Sequence, residues 1–202
     1  PGLVKKLKVL KDNYKKGEIE QKALEKKIEP YDIQWPMQRV LEKYAGDTYA
    51  LNLNKALRKG KRQEDNRVSI IDEAISRFGD IAISPGQSLY RKISFPFKIL
   101  NIKNVEEAMG IKFSDKAFVS TTSSKKALDA FDSGYTGESI TPEVEGVIEI
   151  VDAPLDIKGL DMMPYSEYSS EMEVLLPRNL TFQIIEADET DADISWFKAK
   201  II

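Results

Sequence analysis

The chain has no cysteine and no histidine among its 202 residues. Without cysteine there is no disulfide, thiolate nucleophile, iron–sulfur cluster or Cys-type zinc site. Without histidine there is no Ser-His-Asp triad, no His-based metalloprotease site and no imidazole base. Long apolar runs are also missing, since none approaches the roughly 20 residues that a bilayer span needs. Any chemistry must run on Asp, Glu, Arg, Lys, Tyr, Ser or Thr. The lack of disulfides permits secretion without requiring it.

What is present suits a folded protein: 42% hydrophobic and 31% charged residues, enough for one full-sized domain or one domain plus a small helical part. The net charge of -3 is unevenly spread. Residues 1–80 hold 18 Lys/Arg against 13 Asp/Glu, a balance of +5, and residues 81–202 hold 12 against 20, a balance of -8. That split suggests two functional regions and speaks against a uniformly basic nucleic-acid binder. The chain opens Pro1-Gly2 with neither Met nor a signal-peptide pattern, which reads as a piece of a longer chain.

Residues 3–29 carry apolar residues at helical spacing (Leu3, Val4, Leu7, Leu10, Tyr14, then Ile19, Ala23, Leu24, Ile28), which predicts two short amphipathic helices broken near Gly17. Their nine lysines fit an anionic partner or simply a solvated face. Pro30 ends this block. Residues 37–59 read as further helix stopped by Gly60, and residues 68–78 as another ended at Gly79. After Pro85-Gly86 the pattern turns to short strands: Leu89–Ile93, Phe113–Ser120, Gly146–Val151, Glu171–Leu176, Leu180–Ile185 and Ser195–Ile202, with a short helix over Lys125–Phe131. The expected class is α+β. The expected organisation is a helical lead-in or linker over 1–36 and a catalytic domain over 37–202, helical over 37–80 and β-rich over 81–202.

Four constellations could carry chemistry. Glu171-Met172-Glu173 on a strand would project both carboxylates to one face, with Met172 turned into the core. Like charges so close would raise one pKa and suit acid–base or cation-stabilising work. Tyr90-Arg91 would present a fixed guanidinium as a phosphate clamp. Phe118-Val119-Ser120-Thr121-Thr122 would place hydroxyls at a strand end, where they can hold a neighbouring carboxylate or cap the next helix. Asn54 and Arg58, four apart on a helix, share a face. Taken singly, each is matched by a bland reading: a solvated strand face, a surface arginine, a helix cap, a polar stripe.

Their order is more specific. Tyr44, Tyr49, Asn54-x-x-Leu57-Arg58, then Asp72-Glu73-Ala74-Ile75, Tyr90-Arg91, Ser120-Thr121-Thr122 and Glu171-x-Glu173-Val174-Leu175-Leu176-Pro177 together resemble the mono-ADP-ribosyltransferase exoenzymes, the clostridial-type toxins with arginine, Ser-Thr-Ser and Glu-x-Glu elements. The resemblance covers roughly residues 40–187. It implies a mixed α/β core of two packed β-sheets with a helical N-terminal part. It also implies cleavage of the nicotinamide–ribose bond of NAD, as co-substrate and without a metal, and transfer of ADP-ribose to a protein side chain. Such a reaction passes through an oxocarbenium-like state, as glycoside hydrolysis does. It needs nearby negative charge and a clamped pyrophosphate, which a protein without His or Cys can supply.

By this resemblance Glu173 is the catalytic glutamate, and Glu171 goes with arginine as the acceptor. Ser120 holds Glu173, and Arg91 binds NAD phosphate and ribose. Asn54 and Arg58 contact NAD from the helix side, Thr121 and Thr122 complete the Ser-Thr-Ser strand, and Phe131 packs on the nicotinamide. Tyr168, with Tyr165 in the same loop, recognises the target protein. Two departures stand out. Lys92 occupies a place where the family often has Gly touching the nicotinamide, and Asp132-Ser133-Gly134 follow Phe131 with no Arg. Those departures motivate an alternative, an NAD-binding module with weak or no turnover. A plain α+β structural domain is the third reading. The implied partner is a host protein, with actin the first candidate. The implied setting is a secreted or injected bacterial effector, or alternatively a phage-borne structural protein, with a delivery or structural domain possible ahead of residue 1.

Overall fold

The structure, a computed structural model, describes residues 30–83, 86–94, 96–129, 145–189 and 194–202. The two helices expected within 3–29, and Phe131 with the residues after it, lie outside the described residues. The chain divides into two compact units, Pro1–Arg39 and Val40–Ile202. In the first, the described residues form the opening of helix α1 (Pro30–Tyr44). Proline's fixed φ suits the first helical position, so Pro30 begins a helix as well as closing the block before it.

The helical stretch expected over 37–59 is two helices, α1 and α2 (Asp47–Arg58). The break is at Gly46, which takes extended backbone (φ -84°, ψ 123°) as the N-cap of α2. Glycine is a poor residue to carry a helix through. Helix α3 (Asn66–Phe78) starts where the Asp65 carboxylate accepts the Arg67 N–H at 2.9 Å. It buries Val68, Ile71, Ala74 and Ile75 along one stripe. A short α4 (Pro96–Leu100) follows the first long strand.

Among the described residues are nine strands: β1 (Ile81–Ala82), β2 (Leu89–Ser94), β3 (Lys112–Asp115), β4 (Val119–Thr122), β5 (Glu145–Asp152), β6 (Lys158–Asp161), β7 (Glu173–Leu176), β8 (Leu180–Glu189) and β9 (Ser195–Ile201). They hydrogen-bond in the order β1-β6-β7-β4-β2-β5-β9-β8-β3, with β5 and β9 parallel and the other pairs antiparallel. Between β4 and β2 the register holds one residue pair, Thr122 with Tyr90. The two expected sheets are therefore two halves joined at that pair. Val119, Val174 and Leu176 from one half and Ile93, Ile148, Ile150, Phe182, Ile184 and Phe197 from the other fill a single core. Burying each such side chain contributes roughly 1.5–3 kcal/mol.

Strand β7 is buried at every position. Val174 and Leu176 belong to the shared core, so Glu173 and Leu175 point to the opposite side. Leu41, Tyr44, Leu53 and Leu57 of α1 and α2 are fully buried, and the Tyr44 ring stands edge-on to Phe118 at 5.9 Å.

The strand expected over Phe113–Ser120 is two strands in different halves. Asp115 makes the break. Its Oδ1 accepts the Ala117 N–H at 2.9 Å, a local turn that competes with the ladder. β3 then pairs with β8, and β4 with β7 and β2.

Candidate active site

Glu173 opens β7, opposite Thr122 of β4, and is 8% exposed. Ser120 lies opposite Leu175, two positions along the same ladder. The carboxylate pair does not have the geometry that strand alternation predicted. Glu171 ends a short 3-10 turn (Ser169–Glu171), and Met172 sits in the left-handed region (φ 49°, ψ 44°). The two glutamates therefore do not share a strand face. Met172 is 40% exposed and does not turn into the core. Local alternation fails because β4 pins the turn. Thr122 Oγ1 donates to the Glu171 carbonyl at 2.7 Å, and Ser123 N–H donates to the Met172 carbonyl at 3.2 Å.

Thr121 and Thr122 are fully buried, and their hydroxyls serve the backbone of the segment that carries both glutamates. Thr121 Oγ1 donates to the Val174 carbonyl at 2.6 Å. Tyr168 is exposed just before the turn, and Tyr165 is partly buried at the end of another short 3-10 turn (Met163–Tyr165).

The sequence reading placed Tyr44 among helical apolar residues, and the structure makes it the hub of the site. Asn54 Nδ2 donates to its hydroxyl at 2.8 Å. Burial pushes the Tyr44 phenol well above the ordinary tyrosine range. The Asn54 hydrogen bond pulls it down, the Glu173 charge pushes it up, and Ser120 and then Arg91 pull it down. The phenol is thus a neutral group lying in the field of both Glu173 and Arg91. Tyr44 heads the ordered residues that carry the resemblance, but its position in α1 also fits the apolar stripe, so its place beside Asn54 is not legible from spacing.

On the other side of Arg91 lies a cavity of about 610 Å³. Its walls include Arg58, Arg91, Lys92, Lys98, Lys116 and Asp115 over an apolar floor with Ile93, Phe113 and Phe182. Arg58 makes a bidentate pair with Asp115, Nε to Oδ1 at 3.0 Å and Nη2 to Oδ2 at 2.9 Å. Arg91 Nη2 is 3.6 Å from the same Oδ2. Burial lowers the Arg91 pKa, Asp115 raises it, Arg58 lowers it and Tyr44 raises it. Arg91 Nη1 and Asn54 Oδ1 are buried with no hydrogen-bond partner in the protein. Two unsatisfied buried atoms, one donor and one acceptor, fit a polar ligand. The cationic walls fit an anionic one.

The structure brings Arg91, Arg58, Lys92 and Asp115 to one cavity, and the charges of Glu173 and Arg91 both act on the Tyr44 hydroxyl that Asn54 binds. A second cavity of about 660 Å³ lies beside Met172, lined by Tyr90 and residues 123–126 among others.

A family model described as ADP-ribosyltransferase exoenzyme matches residues 17–197. Among curated proteins no sequence matches. The fold is similar to that of the Vis toxin, an ADP-ribosyltransferase from Vibrio splendidus (TM-score 0.60, 16% identity, covering 83% of this chain and 73% of that one). It is similar to Plx2a, an ADP-ribosyltransferase toxin from Paenibacillus larvae (TM-score 0.60, 17% identity, 96% of each chain). It is also similar to the C3 exoenzyme of Clostridium limosum (TM-score 0.57, 17% identity, 82% of this chain and 84% of that one). At these identities the likeness is one of fold.

Proposed function

Since the chain belongs to the ADP-ribosyltransferase exoenzyme family, we propose that it moves ADP-ribose from NAD to an arginine side chain of a target protein and releases nicotinamide. The observation that carries this is the cationic cavity walled by Arg58, Arg91 and Lys92, with buried Glu173 near enough for its charge to act on the same Tyr44 hydroxyl as that of Arg91. That arrangement sets a cation beside a cavity fit for a dinucleotide and a carboxylate where positive charge can develop.

In this reading Arg91 and Arg58 hold the pyrophosphate. The unpartnered Arg91 Nη1 and Asn54 Oδ1 supply a donor and an acceptor to the substrate. Lys92 lies in the wall of the same cavity. As the bond between ribose C1′ and the nicotinamide nitrogen breaks, its electron pair leaves with nicotinamide. The Glu173 carboxylate stabilises the positive charge left on the ribose. An acceptor guanidinium nitrogen then bonds to C1′ and gives up a proton, and Glu171 orients it and takes that proton. Ser120 and Tyr44 position Glu173, and Thr121 and Thr122 hold the segment that carries both glutamates. Phe131 is assigned to the nicotinamide. Exposed Tyr168, with Tyr165, faces the target protein.

Two relatives lend support. Exoenzyme S from Pseudomonas aeruginosa was solved bound to carba-NAD. Vis was solved with agmatine, a small guanidine compound. Actin is the first protein acceptor to try. Residues 1–36 are a helical lead-in or linker, and the domain from residue 37 carries the chemistry. The setting is that of a bacterial effector secreted or injected into a host cell. Among the described residues, no helix is long and apolar enough to cross a membrane.

The test is incubation with labelled NAD, agmatine and actin, following nicotinamide release and label transfer. Wild type should label a guanidine acceptor, and Glu173→Ala should lose at least about a hundredfold. A Glu173→Ala protein that labels as well as wild type sinks the assignment. NAD binding without any nicotinamide release would favour the binding-module alternative.

A further inference from the structure

One carboxylate holds both guanidiniums of the cavity. Asp115, at the end of β3, takes two hydrogen bonds from Arg58 of α2, at 3.0 and 2.9 Å. Its Oδ2 is 3.6 Å from Arg91 Nη2 on β2. Asp115 is itself fixed, because its Oδ1 also accepts the Ala117 N–H at 2.9 Å. A single side chain thus ties a helix and a strand to the end of a third element. Two guanidiniums and one carboxylate still leave the cluster net positive, and Arg91 Nη1 remains buried without a partner.

We propose that Asp115 is a positioning residue for dinucleotide binding: it presets Arg58 and Arg91 so that the pyrophosphate of the substrate meets two guanidiniums already in place. This rests on the NAD reading above.

Two effects compete at Asp115. Its negative charge opposes a phosphate, and its hydrogen bonds to Arg58 and ion pair with Arg91 reduce the cost of ordering two long side chains when the phosphate arrives. Preorganisation wins here for two reasons. Asp115 spends its charge on the two arginines it pairs. Arg91 is also largely out of water, where a guanidinium with no counter-charge is poorly tolerated. Arginine's planar fork makes the preset orientation specific, because the bidentate pair fixes the guanidinium plane as well as its place.

The experiment measures NAD binding by calorimetry, steady-state nicotinamide release and thermal melts for wild type and three variants. D115N removes the charge at nearly constant shape. D115S removes it and keeps a hydroxyl to accept the Ala117 N–H. D115E restores the charge. D115N and D115S should raise Kd and KM for NAD about tenfold with kcat within about twofold, the size expected for one lost charge-assisted hydrogen bond. D115E should recover most of the loss. In an Arg58→Ala background, D115N should add less than about threefold, because the residue it acts through is already gone.

Unchanged or lower Kd in both uncharged variants overturns the proposal, since Asp115 would then be neutral or repulsive. So does a fall in kcat and melting temperature with KM unchanged, which is the signature of a structural role. Full additivity with Arg58→Ala overturns it as well. If D115N does not melt cooperatively, D115S gives the same reading. A wild-type protein that binds no NAD overturns the functional reading and this inference together. Wild-type binding with unaltered D115N and D115S overturns this inference alone.

Discussion

Asn54 donates its amide N–H to the Tyr44 hydroxyl at 2.8 Å, joining two buried residues ten apart in the chain and on different helices. The Gly46 break lets α2 depart from α1 so that the two side chains meet. The charges of Glu173 and Arg91 both act on that hydroxyl. The Tyr44 ring also stands edge-on to Phe118 at 5.9 Å, so one neutral phenol ties the helices to the chain just ahead of β4.

The phenol gives a pH signature. Unfolded, Tyr44 ionises at its ordinary value of 10.0; folded, burial foremost holds the proton on to higher pH. Above about pH 10 the unfolded chain binds fewer protons than the folded one. The contribution is intact below that pH and is lost as pH rises toward the folded value. Tyr44→Phe should cost about 1–2 kcal/mol at neutral pH, because the Asn54 amide loses its partner. Its melting temperature should then fall less steeply than wild type between pH 9.5 and 11. Melts at stepped pH check both, and parallel alkaline slopes would refute the second.

Gly159 of β6 lies against β7. A Cβ there would meet Val174 Cγ1 at 2.3 Å and Leu176 Cδ2 at 3.2 Å. Both neighbours are fixed in the core, so neither can swing aside. Gly159→Ala should destabilise by about 1–3 kcal/mol through overpacking. Denaturant titration should show a lower midpoint with an unchanged slope. An unshifted midpoint would mean that β6 moves away freely.

Much of this site is legible in the sequence, and the rest fails for identifiable reasons. Arg91 sits on a strand read as Leu89–Ile93 and observed as Leu89–Ser94. The helix read over 68–78 begins at Asn66. These succeed because apolar period and flanking glycines are local. Glu171 fails because a left-handed residue intervenes, and what holds that residue is β4, 49 positions away. Asp115 fails because its partner Arg58 is 57 positions away, and no spacing rule reaches that far. Tyr44 stands among the residues that carry the resemblance, but its bond to Asn54 is not legible, because a hydroxyl on an apolar stripe looks like that of any other core residue.

Thr122 gives a test of the pinned turn. Its hydroxyl donates to the Glu171 carbonyl and accepts the Ser124 N–H at 3.1 Å. Thr122→Val keeps the shape and removes both bonds. The turn carrying Glu171 should loosen while Arg91 and its cavity stay in place. NAD affinity should then change less than about twofold, and kcat for transfer should fall about tenfold, since small misplacements of catalytic groups are costly. Thr122→Ser keeps the hydroxyl and should restore most of the rate. Steady-state kinetics separate the two parameters, and a rise in KM with kcat unchanged would contradict the turn's role.

Glu171 and Glu173 should separate cleanly under mutation, because the structure gives them different backbones: Glu173 is fixed in β7 and buried, and Glu171 ends a turn at the edge of the site. In the proposed function Glu173 is the carboxylate held against the charge that develops as the nicotinamide bond breaks, and Glu171 is the one that meets an incoming guanidine acceptor. Glu171→Gln keeps the turn's size and removes the charge that orients a guanidinium and takes its proton. Transfer to agmatine should drop about a hundredfold while NAD hydrolysis to water stays within about threefold, because water needs no such orientation. Parallel assays of nicotinamide release with and without agmatine read both rates. Equal loss of hydrolysis and transfer would place Glu171 in the bond-breaking step and require the two glutamates to act as one pair.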